Sequence, residues 1–359
     1  MNAAQQYIRQ HGLDSLVNEH NISVVRHPTE PLVSLRYRPS TEKFDPIAMS
    51  CRGHVLEVGT WNMVCPFFNR FFRHYERASR AEDWTSFVAE EKLDGSLLGV
   101  YHYNSKWRFN TKGSFGNKKV DPHDITFEEL ALEAMRGRHL TLDPYYTYIF
   151  ELTSPFNRII RQYDKTDACL LTVFDPHLQQ ELSIERRNRI ADASQFSFPR
   201  RFYCQSLSHA REQSATISSI DPTFEGFVLR SHNDQRIKVK APRYDELHHL
   251  YSENPFDPRK IVPRLFNGKI FDDMKALPWL ENSVKQISFV INRAVSVAGY
   301  VYLEHKDKDI KDFARAVKDE PLRNLLFLAK RNGAESPGEL LVLAENNPKI
   351  ILRCVFGVT

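Results

Sequence analysis

The chain has 359 residues, of which 42% are hydrophobic, 12% aromatic and 26% charged, with a formal net charge of +4. These values suit one large or two ordinary folded domains and exclude a disordered polar chain or a histone-like polycation. No apolar run approaches the roughly 20 residues that a bilayer crossing requires, so no membrane partner is expected. The five cysteines (Cys51, Cys65, Cys169, Cys204, Cys354) are odd in number and contain no C-x-x-C pair. They read as reduced thiols, and the start at Met1–Gln6 lacks the basic and apolar regions of a signal peptide, so a cytoplasmic protein is expected. The mild positive charge permits work on a nucleic acid without selecting it, because phosphate neutralisation needs only a local basic face.

In chain order, residues Ala4–Asn18 carry helical spacing, and Leu32–Tyr37 alternates as a strand does. Cys51–Val58 is a further strand candidate that stops at Gly59, and Phe67, Phe68, Phe71 and Phe72 form a cluster read as core packing. From residue 87 to 240 short strand-like runs dominate: Leu97–Tyr103, Trp107–Thr111, Tyr146–Leu152, Cys169–Phe174, Gly226–Arg230 and Arg236–Lys240. Two helical inserts, Thr126–Arg136 and Ser183–Ala193, interrupt them. After Pro242 the pattern turns helical over Asp272–Ala276, Asn282–Val297, Asp307–Lys318, Pro321–Arg331 and Ser336–Glu345, with Gly299 among the residues read as punctuation. The expectation is an α+β protein with antiparallel sheets over residues 1–243, followed by an all-helical domain over residues 244–359.

The string Glu91-Lys92-Leu93-Asp94-Gly95-Ser96 places a lysine two residues before an Asp-Gly turn, where the glycine lets backbone approach a bound phosphate. Alone, K-x-D-G is a weak signal, equally well read as a surface lysine beside a hairpin. Downstream lie Phe150-Glu151-Leu152, Glu225-Gly226-Phe227-Val228-Leu229 and Lys238-Val239-Lys240. The period of two puts Lys238 and Lys240 on one face of a strand, where like charges repel unless an anion lies between them. A nucleotide α-phosphate fits that need, and the lysines of a solvated edge strand are the alternative.

The ordered set K-x-D-G, F-E-L, E-G-F-V-L and K-V-K resembles the nucleotidyltransferase motifs of covalent nucleic-acid ligases and mRNA-capping enzymes. More narrowly, E-K-L-D-G-S-L, F-E-L-T-S-P-F-N-R-I-I, the upstream C-R-G at Cys51–Gly53 and T-K-G-S at Thr111–Ser114 resemble the phage RNA ligase 1 family of tRNA-repair enzymes. The resemblance runs from Arg52 to Tyr244, and the family's K-F-F-N is replaced by Arg70-Phe71-Phe72-Arg73. It implies an ATP-grasp-like nucleotidyltransferase domain, and the helical tail suits that family better than one with an OB-type domain.

The resemblance makes Lys92 the nucleophile that attacks the ATP α-phosphate, with Lys238 and Lys240 neutralising that phosphate and Asp94 orienting. Neighbouring cations are expected to help Lys92 shed its proton. Arg52, Arg70 and Lys112 are implied phosphate contacts, Gly95 a nucleotide-binding position, Glu151 a ribose ligand and Phe174 a base-stacking ring. Glu225 and Glu151 are the implied holders of Mg²⁺ or Mn²⁺. The bland readings are a turn for Asp94, exposed carboxylates for Glu151 and Glu225, and a core ring for Phe174. The function implied is an ATP-dependent RNA ligase acting on 5′-phosphate and 3′-hydroxyl ends, with a nicked tRNA as a suggested substrate and a monomer expected. A capping-type guanylyltransferase and a non-catalytic RNA-binding protein are the rivals.

Overall fold

A computed structural model describes residues 2–38, 40–41, 45–76, 84–120 and 122–358. The chain forms two units, Met1–Asp245 and Glu246–Thr359. The first is α+β and holds three sheets.

The first sheet is an antiparallel meander of Ile22–Arg26, Leu32–Tyr37, Arg52–Glu57 and Met63–Cys65. The helices Ala3–His11 and Leu13–Glu19 supply Ile8 and Leu16 to its core beside Val33, Leu35 and Leu56. The single helix expected over Ala4–Asn18 is broken at Gly12, whose φ of +86° is left-handed and ends the first helix.

The second sheet is wholly antiparallel, in the order Gln180–Glu181, Asp167–Asp175, Thr147–Thr153, Ser96–Tyr103, Lys106–Thr111. Its central strand Thr147–Thr153 is buried at every position, which explains an apolar run without alternation. Helix Phe127–Met135 covers it, started by a capping box in which Thr126 and Glu129 satisfy each other's backbone N–H groups. Leu98, Val100, Leu130, Met135, Phe150 and Leu170 fill the space between.

The third sheet runs Arg201–Phe202, Phe87–Glu91, Gly226–Ser231, Arg236–Lys240, Phe72–Arg73; the last pairing is parallel, the others antiparallel. On one face Phe224 and Phe227 pack edge to face with the helix Leu207–Ile220 nearby. That helix is a third insert where two were expected. Three rings of the phenylalanine cluster, Phe67, Phe68 and Phe72, are core residues, whereas Phe71 is only half-buried.

In the second unit every element among the described residues is helical. Helix Glu281–His305 is its longest, burying Val284, Ile287, Ile291, Val295, Ala298 and Tyr302 along one stripe. Gly299, expected to end that helix, lies inside it. A Cβ there would stand 2.9 Å from Pro337 Cβ, so the glycine admits the neighbouring helix Pro337–Glu345. No helix among the described residues is long and apolar enough to cross a membrane, and all five cysteines are free thiols.

Candidate active site

Lys92 stands where the chain leaves the third sheet, just after strand Phe87–Glu91, and enters the second at Ser96. Its backbone N–H donates to the Gly226 carbonyl (2.8 Å), fixing it beside the Glu225-Gly226 corner. Its ammonium lies 2.7 Å from Glu225 Oε1, with side chains 22% and 6% exposed. Desolvation pulls the lysine downward, but the carboxylates of Glu225, Glu151 and Asp94 outweigh it and hold Lys92 above its ordinary value. The carboxylates beside Lys92 thus act against the cations expected to help it shed its proton, and its ammonium rests on Glu225.

Gly95 also has a packing role. Its N–H donates to Glu151 Oε1 (3.1 Å), and a Cβ would meet the Leu152 carbonyl oxygen at 2.5 Å. The glycine thus lets the strand carrying Glu151 close on the lysine turn. Burial, and then the carboxylates of Glu225 and Asp94, push Glu151 up to about 8 against the opposing pull of Lys92 and the Gly95 N–H. The bland reading of an exposed strand-end carboxylate fails for both glutamates, since Glu151 and Glu225 are buried.

Asp94 is neither a simple turn residue nor open to solvent. Its Oδ2 accepts from the Ile160 and Arg161 N–H groups (2.9 and 2.6 Å), and Tyr244 donates its hydroxyl to Oδ1 at 2.6 Å. Tyr163 accepts the Asp94 N–H at 3.3 Å. Tyr244 and Tyr163 escaped sequence reading; the only available signal for Tyr244 was its place four residues after the second lysine of K-V-K.

The paired lysines face the same side of their strand, between buried Ile237 and Val239, yet their surroundings diverge. Lys240 lies 3.5 Å from Glu225 and 3.7 Å from Asp245. Lys238 stands over the Phe71 ring (5.4 Å) and is lowered to about 7 by desolvation and by Arg52, Lys92 and Lys240. The unrelieved repulsion expected of the pair is thus concentrated on Lys238.

Arg52 lies over the other reach of Phe71, 4.8 Å from its centroid, and its Nη1 is buried with no hydrogen-bond partner among the described residues. Desolvation lowers Arg52, with Arg236 and Arg70 adding to the effect. Arg70 stacks on Tyr37 (4.6 Å) and Phe72 (5.4 Å). Lys112, whose side chain reaches solvent, is depressed by desolvation and by the positive charges of Arg52, Arg70 and Lys92. Its loop is shaped by Thr111, whose Oγ1 accepts the Ser114 N–H at 3.1 Å.

Phe174 is 6% exposed and set in the core cluster against Phe68, as its reading as a core ring expects. Its edge reaches a cavity of about 660 Å³ whose wall also includes Arg70, Phe71, Glu181 and Arg236, but not Lys92. Among the described residues no three His, Cys, Asp or Glu side chains form a metal cage. Glu225 and Glu151 are two nearby carboxylates, a donor set that suits Mg²⁺ or Mn²⁺ shared with a bound polyphosphate.

An α+β unit of antiparallel sheets, with a lysine, buried carboxylates and a strand bearing two lysines gathered at one joint, defines a nucleotidyltransferase fold. Residues 50–244, more than half of the chain, match a family model described as RNA ligase, of the phage T4 ligase 1 type, and the chain belongs to that family. It is similar to a protein of Autographa californica nuclear polyhedrosis virus assigned as a bifunctional polynucleotide kinase/RNA ligase: 26% identical over 302 residues, 76% of this chain and 41% of that one. A protein assigned as an RNA ligase in Thermovibrio ammonificans is 25% identical over 257 residues, 68% of this chain and 65% of that one. The matched region therefore spans less than two thirds of either relative. Among solved structures, one assigned as an ATP-dependent DNA ligase of Aquifex aeolicus aligns with a TM-score of 0.47 at 14% identity, covering 76% of this chain and 75% of that one.

Proposed function

We propose that this chain is an ATP-dependent RNA ligase working through a covalent AMP on Lys92. The observation that carries the reading is a cationic cradle short of an anion. Arg52 has a buried Nη1 without a partner among the described residues, Lys238 is depressed by desolvation and by Arg52, Lys92 and Lys240, and both cations lie over the Phe71 ring. A nucleotide triphosphate supplies the missing charge, and its α-phosphorus gives the adjacent lysine an electrophile to attack.

In the first step Lys92, released from Glu225 and having given up a proton to solvent, displaces pyrophosphate from the α-phosphorus to form a phosphoramidate. Lys238 and Lys240 face the charge that builds on the α-phosphate oxygens. Arg52, Arg70 and Lys112 contact the outer phosphates, and Glu151 the ribose. Asp94, with both oxygens engaged by protein donors, acts as a positioning group for the lysine turn. Glu225 and Glu151 would hold a divalent cation, which would neutralise charge on the polyphosphate. AMP then passes to an RNA 5′-phosphate, and an RNA 3′-hydroxyl displaces it to seal the ends. We assign the helical part, residues 244–359, to selection of the RNA, and a nicked tRNA as its substrate rests on the likeness of the motifs to tRNA-repair ligases.

The test incubates the protein and a Lys92→Ala variant with Mg²⁺ and α-labelled ATP or GTP, then adds 5′-phosphorylated RNA. Label retained by the wild type alone, from ATP alone, and lost as joined RNA appears supports the ligase. Label from GTP alone points to a capping-type enzyme. No label from either nucleotide would sink the covalent mechanism.

A further inference from the structure

Arg73 occupies the place of the asparagine in the K-F-F-N pattern, and its guanidinium makes a two-pronged pair with Asp245. Nη1 donates to Oδ2 at 2.5 Å and Nη2 to Oδ1 at 2.9 Å. Nη1 also donates to the Tyr75 hydroxyl at 2.8 Å, and the Arg73 backbone N–H donates to Glu76 Oε2 at 2.8 Å. The strand Phe72–Arg73 pairs in parallel with the lysine strand, with Arg73 opposite Lys238, so its backbone is fixed. The Oδ1 that receives Arg73 is also 3.7 Å from Lys240 Nζ, which lies 3.5 Å from Glu225 Oε1; that oxygen in turn is 2.7 Å from Lys92 Nζ. Charges therefore alternate along one line: Arg73, Asp245, Lys240, Glu225, Lys92.

We propose that Arg73 and Asp245 are a positioning pair for Lys240, with Arg73 holding Asp245 so that this carboxylate does not draw the lysine out of the phosphate site. The inference rests on Lys92 as the AMP acceptor. Without Arg73, Asp245 keeps a full uncompensated charge beside Lys240 and pulls it outward, away from the charge that builds at phosphorus. This displacement falls on the transition state more than on nucleotide binding. Arg73 and Asp245 are about one-third exposed, so their exchange leaves the core intact.

The test compares wild type, Arg73→Met, Arg73→Lys and Arg73→Met/Asp245→Asn. At saturating ATP the rate of Lys92 labelling is expected to fall about tenfold in Arg73→Met, a coupling of ordinary size between touching charges, with little change in KM. Arg73→Lys retains part of the rate, and the double variant regains most of it. A pair that only braced the fold would lower Tm and the rate together, so an Arg73→Met loss that tracks Tm overturns the proposal, as does a double variant no better than Arg73→Met or an Arg73→Met variant at the wild-type rate. In parallel, acylation of Lys240 by limiting acetic anhydride, read by mass spectrometry on nucleotide-free protein, falls in Arg73→Met and recovers in the double variant. This readout needs no nucleotide chemistry: absence of label in every protein refutes the Lys92 reading, whereas unchanged Lys240 acylation refutes the positioning pair.

Discussion

Glu225→Gln removes the charge against which Lys92 rests while keeping the side chain's shape. The structure sets the scale: the contact is 2.7 Å, the glutamate is 6% exposed, and the lysine is 22% exposed. Leaving one member of such a buried pair alone costs about 3–5 kcal/mol. An ammonium escapes that cost by losing its proton, so the variant's Lys92 is displaced downward. The direction is secure because desolvation, which already opposes the charge, is then resisted only by Glu151 and Asp94. The assay is competitive acylation of Lys92 in nucleotide-free protein between pH 6 and 11, followed by peptide mass spectrometry. Reactivity in Glu225→Gln should rise at a pH well below that for wild type, although adenylylation itself slows because the same residue is proposed to hold the metal. A profile that does not move, or moves upward, refutes the account of Lys92 as parked on Glu225. The sign for stability follows. A lysine raised in the folded state stabilises it below the unfolded value and loses that contribution as pH rises through the folded value, so Glu225→Gln should lower Tm most at neutral pH and least at high pH.

Glu151, pushed up to about 8, has the opposite consequence for an acid: its burial costs nothing below the unfolded value near 4.5 and progressively more as pH rises toward 8. Glu151→Gln, whose amide oxygen still accepts the Gly95 N–H, should therefore gain Tm relative to wild type between pH 5 and 8.5, as scanning calorimetry at several pH values will show. Gly95→Ala forces a methyl to within 2.5 Å of a carbonyl oxygen, so a loss of about 1–3 kcal/mol together with loss of Lys92 labelling is expected; wild-type behaviour in both would show that the strands need not approach so closely. Tyr244→Phe deletes the 2.6 Å hydrogen bond to buried Asp94 and should cost about 1–3 kcal/mol in urea unfolding, with slower labelling of Lys92.

Much of the strand framework was legible because its cause is local. Leu32–Tyr37 and Arg236–Lys240 alternate or carry β-branched residues between clear turns, and the structure places strands at those residues. The helix Leu207–Ile220 was not legible because it meets its sheet with Ala210, Ser214 and Ser218, small residues that leave no apolar stripe. Gly299 misled for a related reason: it reads as a stop, but its missing side chain is a packing surface for Pro337. At the site, Lys92 and the two strand lysines could be picked out by residue type and spacing. Their partners could not. That Glu225 touches Lys92, that Tyr244 is tied to Asp94 and that Asp245 is shared by Arg73 and Lys240 are matters of long-range pairing, which no local pattern encodes.

The parallel pairing of Phe72–Arg73 with Arg236–Lys240 has a consequence for the birth of the protein. More than 160 residues separate the two strands, so this edge of the third sheet cannot form locally, and contacts of such span are slow to close. A nascent chain that has already exposed Lys92 still lacks Lys238, Lys240 and the Glu225 corner that sits beside them. The amine therefore emerges from the ribosome as an ordinary solvated lysine and becomes a specialised one only after residue 245 has left the exit tunnel. No truncated product ending before that point can assemble the line of charges from Arg73 to Lys92, which makes the last strand of the first unit a checkpoint on when the site proposed around Lys92 is complete.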